Sequence, residues 1–275
     1  MFYEMDILLY KVALIIYLLS SAGYISSLLV RRVLVARVST WFLAAAFTIH
    51  TISILFRIVE RGPSPAISFP ENLSFFAWVM TATYLALQLK TKTRVLGTLV
   101  SPVVFLLMIC ASIRLGGNIV LPPVLQGWLV PLHVGLSLTG EALFALASCA
   151  GVMYLIQDNL IKSKQVKGFS RLLPPLMDLD KINHLCLLWG FPLLTTGILV
   201  GSIWARTAWG SLWQWDPKQV WTLLAWLFYA VLLHQRVALG WKGHKPALLS
   251  IVAFIFLLFS FVIVGLFFTT AHSFI

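Results

Sequence analysis

The sequence predicts an all-α, polytopic integral membrane protein with about eight transmembrane helices. Of its 275 residues, 60% are hydrophobic, and the mean hydropathy is +0.94. One water-soluble core cannot bury so much apolar surface. The apolar residues are also gathered into eight runs, and each run is long enough to cross a bilayer core of roughly 30 Å as a helix.

Charge clusters, proline and glycine separate these runs. The first run follows the acidic stretch "MFYEMD" and lacks a small-residue cleavage site, so we expect a retained helix and not a cleaved signal. The separators, in order, are "RR", "RIVERGPSP", "KTKTR", "RLGG", "KSKQVKG", "WGSLWQWDP" and "GWKGHKP". The predicted spans lie near 9–30, 39–56, 74–90, 95–113, 132–156, 183–204, 218–237 and 247–270. The longest connection, 157–182, is too short to bury its own core, so we expect one domain over residues 1–275.

The basic residues predict how the spans are oriented. Fourteen of the twenty Lys and Arg residues fall in alternate connections, which the positive-inside rule assigns to the cytoplasm. Both termini and the connection between the sixth and seventh spans, about 205–218, are then extracytoplasmic. Because these loops account for the net charge of +11, we expect the basic residues to contact membrane lipid and no nucleic acid.

Three cysteines, Cys110, Cys149 and Cys186, lie singly within predicted spans. The absence of a C-x-x-C pair excludes dithiol chemistry and the usual zinc spacing. Glycine-rich phosphate loops and G-x-S-x-G elbows are also absent from the sequence. The cysteines are therefore predicted to be small packing residues.

The connection before the seventh span contains "WGSLWQWDPKQVW", residues 209–221, with four of the chain's eleven tryptophans. An interfacial belt of indoles explains scattered tryptophans, but it does not explain four in one short segment. Asp216 is placed to cap the next helix, and Pro217 suits its first turn. Such an indole-lined platform at a helix start fits a flat hydrophobic ring.

The histidines supply candidate ligands at different depths. His133 and His272 lie at the outer ends of the fifth and eighth spans, on the same side as the tryptophan segment. His234 lies 18 residues after Asp216, which is about 27 Å further along a helix toward the cytoplasm. A lone histidine at a membrane end, such as His244, is more often interfacial than a ligand. A pair beside an apolar platform predicts axial ligation of haem iron.

Several motifs together indicate a known family. The segment "WGSLWQWDPKQVWTLLAWLFYAVLLHQR" resembles the tryptophan-rich, or WWD, signature of the haem-handling proteins of cytochrome c assembly. Within that group it is similar to the CcsA (ResC) family of system II cytochrome c synthetase subunits. The resemblance extends to "TIHTISILFR", "ENLSFFAW", "LHVGLSLTG", "WGFPLLTTGILVGSIWA" and the terminal "HSF".

The resemblance implies a set of ligands and a catalytic platform. His133 and His272 match the two outward haem ligands, and His234 matches the transmembrane ligand that pairs with a histidine of a CcsB (ResB) subunit. The implied catalytic residues, which would also contact the haem, are Trp209, Trp213, Trp215 and Asp216, with Trp221 as a further haem contact.

The outer cations are candidates for a second role. Lys218, Arg206 and Arg57 are predicted to pair with haem propionates. As an equally weighted alternative, any of them contacts lipid phosphate.

The implied activity is cytochrome c biogenesis. Haem b would move from the cytoplasmic side to the extracytoplasmic WWD site, where it would be joined by thioether bonds to the C-x-x-C-H motif of apocytochrome c. The membrane would be a bacterial inner membrane or a thylakoid membrane. Two alternatives are a haem exporter that serves a separate synthetase and a respiratory cytochrome b-type subunit.

Three positions depart from the family pattern. Gln219 stands where Glu is frequent, which weakens any proton role there. Glu141 places a carboxyl inside the fifth span, where it is either functional or neutral and hydrogen-bonded. His184 stands where Tyr is common, so His184 or His50 remains an alternative inner partner for His234.

Overall fold

The computed structural model describes residues 2–30, 32–61, 68–90, 94–113, 127–164, 170 and 172–260. Within these ranges it contains eight α-helices and no strand. They are α1 (Phe2–Val30), α2 (Val33–Arg61), α3 (Phe69–Lys90), α4 (Gly97–Ser112), α5 (Leu129–Lys162), α6 (Leu176–Trp209), α7 (Pro217–Val237) and α8 (His244–Phe259). A short 3-10 helix, Arg94–Leu96, precedes α4.

The predicted all-α membrane fold is confirmed. Each predicted span overlaps one described α-helix, and residues 261–270 of the last span lie outside the described residues. Six of the described helices, α1, α2 and α4 to α7, are long and apolar enough to cross a membrane. Helix α3 carries polar residues, such as Glu71 and Gln88, that lower its hydropathy, and α8 has 16 described residues. The count of eight spans therefore stays a prediction.

The chain divides into two compact units, residues 1–131 and 132–275. In the first unit α1 packs on α2 and α4, and α3 packs on α4. Buried polar side chains join these helices: the Tyr10 hydroxyl donates to the Met108 carbonyl, and the Ser20 hydroxyl donates to the Ser39 carbonyl. Such bonds suit a protein in lipid, where no water satisfies a buried polar group.

In the second unit α6 packs on α7 and α8, and α7 packs on α8. Helices α5 and α6 approach closely at small residues, since a Cβ atom on Gly140 would lie 2.8 Å from the Leu194 nitrogen. A Cβ on Gly190 would lie 2.7 Å from the Phe144 ring. Glycine at these positions therefore lets the two helices pack backbone to backbone.

The start of α7 follows the sequence prediction. The Asp216 carboxylate accepts a hydrogen bond from the Lys218 backbone nitrogen at 3.2 Å, and Pro217 occupies the first turn. Both the predicted cap and the predicted proline position are confirmed. This cap fixes the point at which the tryptophan segment enters the helix.

Candidate functional site

The tryptophan loop, residues 210–216, is held in shape by its ends and by one glutamine. Gly210 ends α6 with a positive φ of 82°, a conformation that glycine adopts without steric cost. The Gln219 side-chain oxygen accepts a hydrogen bond from the Gln214 backbone nitrogen at 2.9 Å. An amide at position 219 therefore braces the loop, which is a role that sequence reasoning missed.

A pocket opens beside this loop, and we call it the His133 pocket. Its empty volume, which includes space open to solvent, is about 540 Å³. Its walls come from α5, α6, α7 and the tryptophan loop. The lining residues are His133, Ile198, Gly201, Ser202, Trp213, Lys218, Gln219, Thr222 and Leu223.

The His133 ring is oriented by a backbone carbonyl. Its Nδ1 lies 2.7 Å from the Gly197 carbonyl oxygen, and a carbonyl oxygen can only accept, so Nδ1 carries the proton. The lone pair of the neutral ring is then on Nε2. This is the arrangement in which metal-binding histidines are usually held, with one nitrogen anchored and the other open for a ligand bond.

Two glycines of α6 make room for this arrangement. A Cβ on Gly201 would lie 2.5 Å from His133 Nδ1, and one on Gly197 would lie 2.4 Å from the Ser137 hydroxyl. Side chains at these positions would push the ring or its helix away. The close packing of α5 on α6 therefore also determines the position of the imidazole.

The four tryptophans of the segment have different surroundings. Trp213 lines the pocket, and its buried Nε1 has no hydrogen-bond partner in the part of the chain that the structure describes. Trp215 is 78% exposed, and its backbone has a positive φ of 54°. Its ring contacts the Trp213 ring edge-to-face, with 5.8 Å between the ring centroids. Trp209 packs on Trp204. Trp221 packs instead on two aromatic rings of α8, Phe256 and Phe259.

The three predicted cations also differ. Lys218 lines the His133 pocket and forms no ion pair with a described residue. Arg206 is exposed at the end of α6 and is not among the lining residues. Arg57 belongs to the first unit, where its Nε lies 3.1 Å from an oxygen of the buried Asp6 carboxylate. Lys218 is thus the predicted cation that the structure brings to the pocket.

The remaining predicted ligands lie elsewhere. His272 falls outside the described residues, so its role stays a prediction. His234 is exposed on α7, on a face shared with the exposed residues Leu227 and Val231. Its ring has no hydrogen-bond partner among the described residues. This position leaves the imidazole open to a separate chain.

The two alternative inner histidines are both engaged. His184 Nδ1 accepts a hydrogen bond from Arg236 Nε at 3.2 Å, so its proton is on Nε2 and no lone pair remains open. His50, in the first unit, is fully buried, with Nε2 3.0 Å from the Ser74 hydroxyl and Nδ1 3.4 Å from the Tyr17 hydroxyl. Neither ring offers a free nitrogen to iron in this arrangement.

The second unit also contains a buried polar cluster that sequence reasoning missed. The sequence predicted Arg236 as one of the fourteen basic residues of the cytoplasmic connections. In the structure it is 6% exposed and forms an ion pair with Asp180 at 3.0 Å. It also donates to the Asn183 side-chain oxygen at 2.9 Å. Asn183 in turn donates to the Ala147 carbonyl and to the Ser250 hydroxyl. We call these residues, with His184, the Arg236 network; it joins all four helices of the unit.

Comparison with known proteins identifies the family of this chain. Residues 67–272 match the family model "Cytochrome C assembly protein". The CcsA cytochrome c biogenesis protein of Pyropia yezoensis is 30% identical over 245 residues, covering 74% of this chain and 76% of that protein. The CcsA protein of Chlamydomonas reinhardtii is 34% identical over 231 residues, covering 80% of this chain and 64% of the relative.

A solved structure shares the fold. The cytochrome c haem lyase CcmF superposes with a TM-score of 0.70 at 14% identity, over 95% of this chain. This chain spans 47% of the length of that protein, so the likeness concerns the fold alone. With the family model matched over most of its length, this chain belongs to the cytochrome c assembly protein family, among its CcsA-type members in cytochrome c biogenesis.

Proposed function

We propose that this chain binds haem b in the His133 pocket, presents it on the extracytoplasmic side, and with a CcsB-type subunit promotes its covalent attachment to apocytochrome c. One observation carries the proposal. His133 Nδ1 is anchored on the Gly197 carbonyl, so Nε2 is the nitrogen available to iron in a pocket that also contains an indole and an ammonium.

The composition of the pocket supports haem as the ligand. Ile198 and Leu223 supply apolar walls, which a porphyrin face requires. Trp213 Nε1, which has no partner among the described residues, and the Lys218 ammonium, which forms no salt bridge with any of them, supply a hydrogen-bond donor and a cation. Both groups suit propionate oxygens. His272 is proposed as the second axial ligand from the end of the chain.

The inner end is proposed to receive haem through His234 and the partner subunit. His234 is exposed, and the rings of His184 and His50 are occupied by hydrogen bonds within this chain. A second ligand therefore has to come from outside the described residues, which agrees with the predicted CcsB-type subunit. Its site and the delivery site at His133 would lie about one membrane thickness apart, since His234 is about 27 Å along the helix from Asp216.

Catalysis would rest mainly on positioning. In the attachment step a cysteine S–H adds across a haem vinyl C=C bond, forming one C–S and one C–H bond with no change in oxidation state. Histidine ligation would hold the iron, while Trp213 and Trp215 would hold the porphyrin so that the vinyl groups face the thiols. Misplacing a reacting group by about 1 Å can lower a rate on the order of a hundredfold.

The test is reconstitution of this chain with a CcsB-type subunit, haem and an apocytochrome c. Holocytochrome yield and bound haem are measured for wild type, His133→Gly and Trp213→Ala, with and without imidazole. We expect His133→Gly to lose haem and to be partly restored by imidazole, which can fill a vacated axial position. Trp213→Ala should keep most haem, lose attachment by about a hundredfold, and gain nothing from imidazole.

Matched controls separate the site from general damage. His244 and Trp189 are exposed and lie outside the pocket, so His244→Gly and Trp189→Ala should match wild type. Unchanged haem content in His133→Gly would refute the ligand assignment. Haem release without any covalent product, in the complete wild-type mixture, would instead favour the exporter alternative.

A further inference from the structure

A second cavity adjoins the His133 pocket and shares two of its residues, Lys218 and Thr222. We call it the Glu141 pocket. Its empty volume is about 370 Å³. Glu141 comes from α5, and the rest of the wall is apolar or hydroxylated. The other lining residues are Leu194, Ala225, Leu257 and Ser260.

Glu141 and Lys218 are the charged groups that face this cavity. They interact electrostatically but do not approach within the 4.0 Å of a salt bridge, and neither side chain has a hydrogen bond to a described residue. Glu141 also acts electrostatically on Tyr229 of α7, whose buried hydroxyl has no hydrogen-bond partner among the described residues. The described α6 and α8 residues of the wall are not ionisable.

Lys218 compensates the Glu141 carboxylate, and Glu141 is the larger of the two counter-charges that act on the ammonium, with the Asp216 carboxylate as the other. An isolated charge inside a membrane protein is costly, and a carboxylate without a cation is better accommodated as the neutral acid. Lys218 also faces the His133 pocket, where the proposed function places a haem propionate. A propionate that pairs with Lys218 would therefore replace Glu141 as the counter-charge of the ammonium.

We infer that haem binding in the His133 pocket is coupled to the uptake of one proton by the Glu141 carboxylate. The proton comes from solvent, the propionate remains an anion paired with Lys218, and no electron is transferred. In the reverse direction, loss of that proton restores the Glu141 carboxylate as a competitor for Lys218 and favours release of the propionate. This inference rests on the proposed function and adds a residue, Glu141, that controls loading and release.

The sign of the pH dependence follows from linkage. Because binding takes up a proton, haem affinity rises as pH falls. The rise is up to about tenfold per pH unit, over the pH range in which Glu141 is charged in the haem-free chain and neutral in the haem-bound chain. Glu141→Gln mimics the neutral acid permanently. Its haem affinity should therefore equal that of wild type at low pH and lack this component of the pH dependence.

The experiment uses the full-length chain in detergent, stripped of haem and titrated with ferric haem in a weakly buffered solution with a pH indicator. We expect wild type to take up close to one more proton per haem than Glu141→Gln. Lys218→Met offers an independent variant, since without the ammonium Glu141 is already neutral before haem binds. Ser137→Ala is the matched control, because this residue lies one turn from Glu141, lines neither pocket and carries a hydroxyl that does not ionise at these pH values.

A second probe, haem dimethyl ester, has both propionates esterified and so has no anion to offer Lys218. With it, the difference between wild type and Glu141→Gln should disappear. Equal proton uptake by these two chains with haem would overturn the inference, and so would a difference that persists with the ester. Haem binding that is unchanged by His133→Gly would instead refute the proposed site, so the two failures are distinguishable.

Discussion

The Arg236 network and the two pockets of the second unit treat polar side chains in opposite ways. In the Arg236 network the guanidinium contacts Asp180, Asn183 and His184, and the Asn183 amide is used in full. Around the two pockets, Trp213 Nε1 and Tyr229 OH are buried without partners among the described residues, and Lys218 forms no ion pair with any of them. The Arg236 guanidinium and the Asn183 amide are satisfied within the chain, whereas the polar groups of the pockets are left for the ligand that the proposed function places there.

This difference distinguishes structural from ligand-binding groups of the same residue type. His184, near the start of α6, and His133, near the start of α5, are both partly buried, yet one ring accepts a hydrogen bond on Nδ1 and the other donates from it. The ring that donates keeps the open Nε2. This difference in hydrogen bonding therefore favours His133 over His184 as the proposed ligand, where residue identity does not distinguish them.

The largest effect is expected from breaking the Arg236 network. Arg236→Leu leaves the Asp180 carboxylate and the Asn183 oxygen without their cation, so the free energy of unfolding should fall by about 3–5 kcal/mol. Unfolding of the purified chain in detergent measures this. Lys242→Leu, at an exposed position in the next loop, is the control and should change little. A loss below about 1 kcal/mol would mean that the network is not a structural element.

An intermediate effect is expected where the packing of α5 on α6 positions the His133 ring. Gly201→Ala would place a methyl group 2.5 Å from His133 Nδ1 and displace the ring from the Gly197 carbonyl. The overpacking should cost about 1–3 kcal/mol, and bound haem should fall, with partial recovery in imidazole. Gly135→Ala lies on the same helix as His133 in open space and should keep full haem content. Equal haem content in the two variants would refute this positioning role.

The smallest effect is expected from a single N–H group. Trp213→Phe keeps an aromatic ring and removes the unpartnered donor, so haem affinity should fall about two- to tenfold, the equivalent of 0.5–1.5 kcal/mol. Stability without haem should not fall. Trp226→Phe is the reverse case, because that indole donates to the Thr195 hydroxyl at 2.8 Å, and its loss should lower stability but not haem affinity. Haem affinity that is unchanged in Trp213→Phe would mean that Nε1 does not contact the ligand.

The parts of the fold predicted correctly from the sequence depend on local pattern. Helix positions follow from apolar runs and their separators, and the start of α7 follows from Asp216 and Pro217. The tryptophan loop and His133 were selected as a site because unusual residues are concentrated in one segment and at one predicted depth. The division into two units was not predicted, since no change of composition marks it.

The sequence by itself thus determined that this is a helical membrane protein, where its helices run, and which residues could handle haem. Tertiary structure decided how those residues are used: Arg57 is paired with Asp6, Arg236 is buried in a network, and Lys218 is left between two pockets. The physical reason is that helix formation and hydropathy depend on near neighbours along the chain. The state of a charge or an imidazole depends on hydrogen bonds and counter-charges supplied by helices far away in sequence.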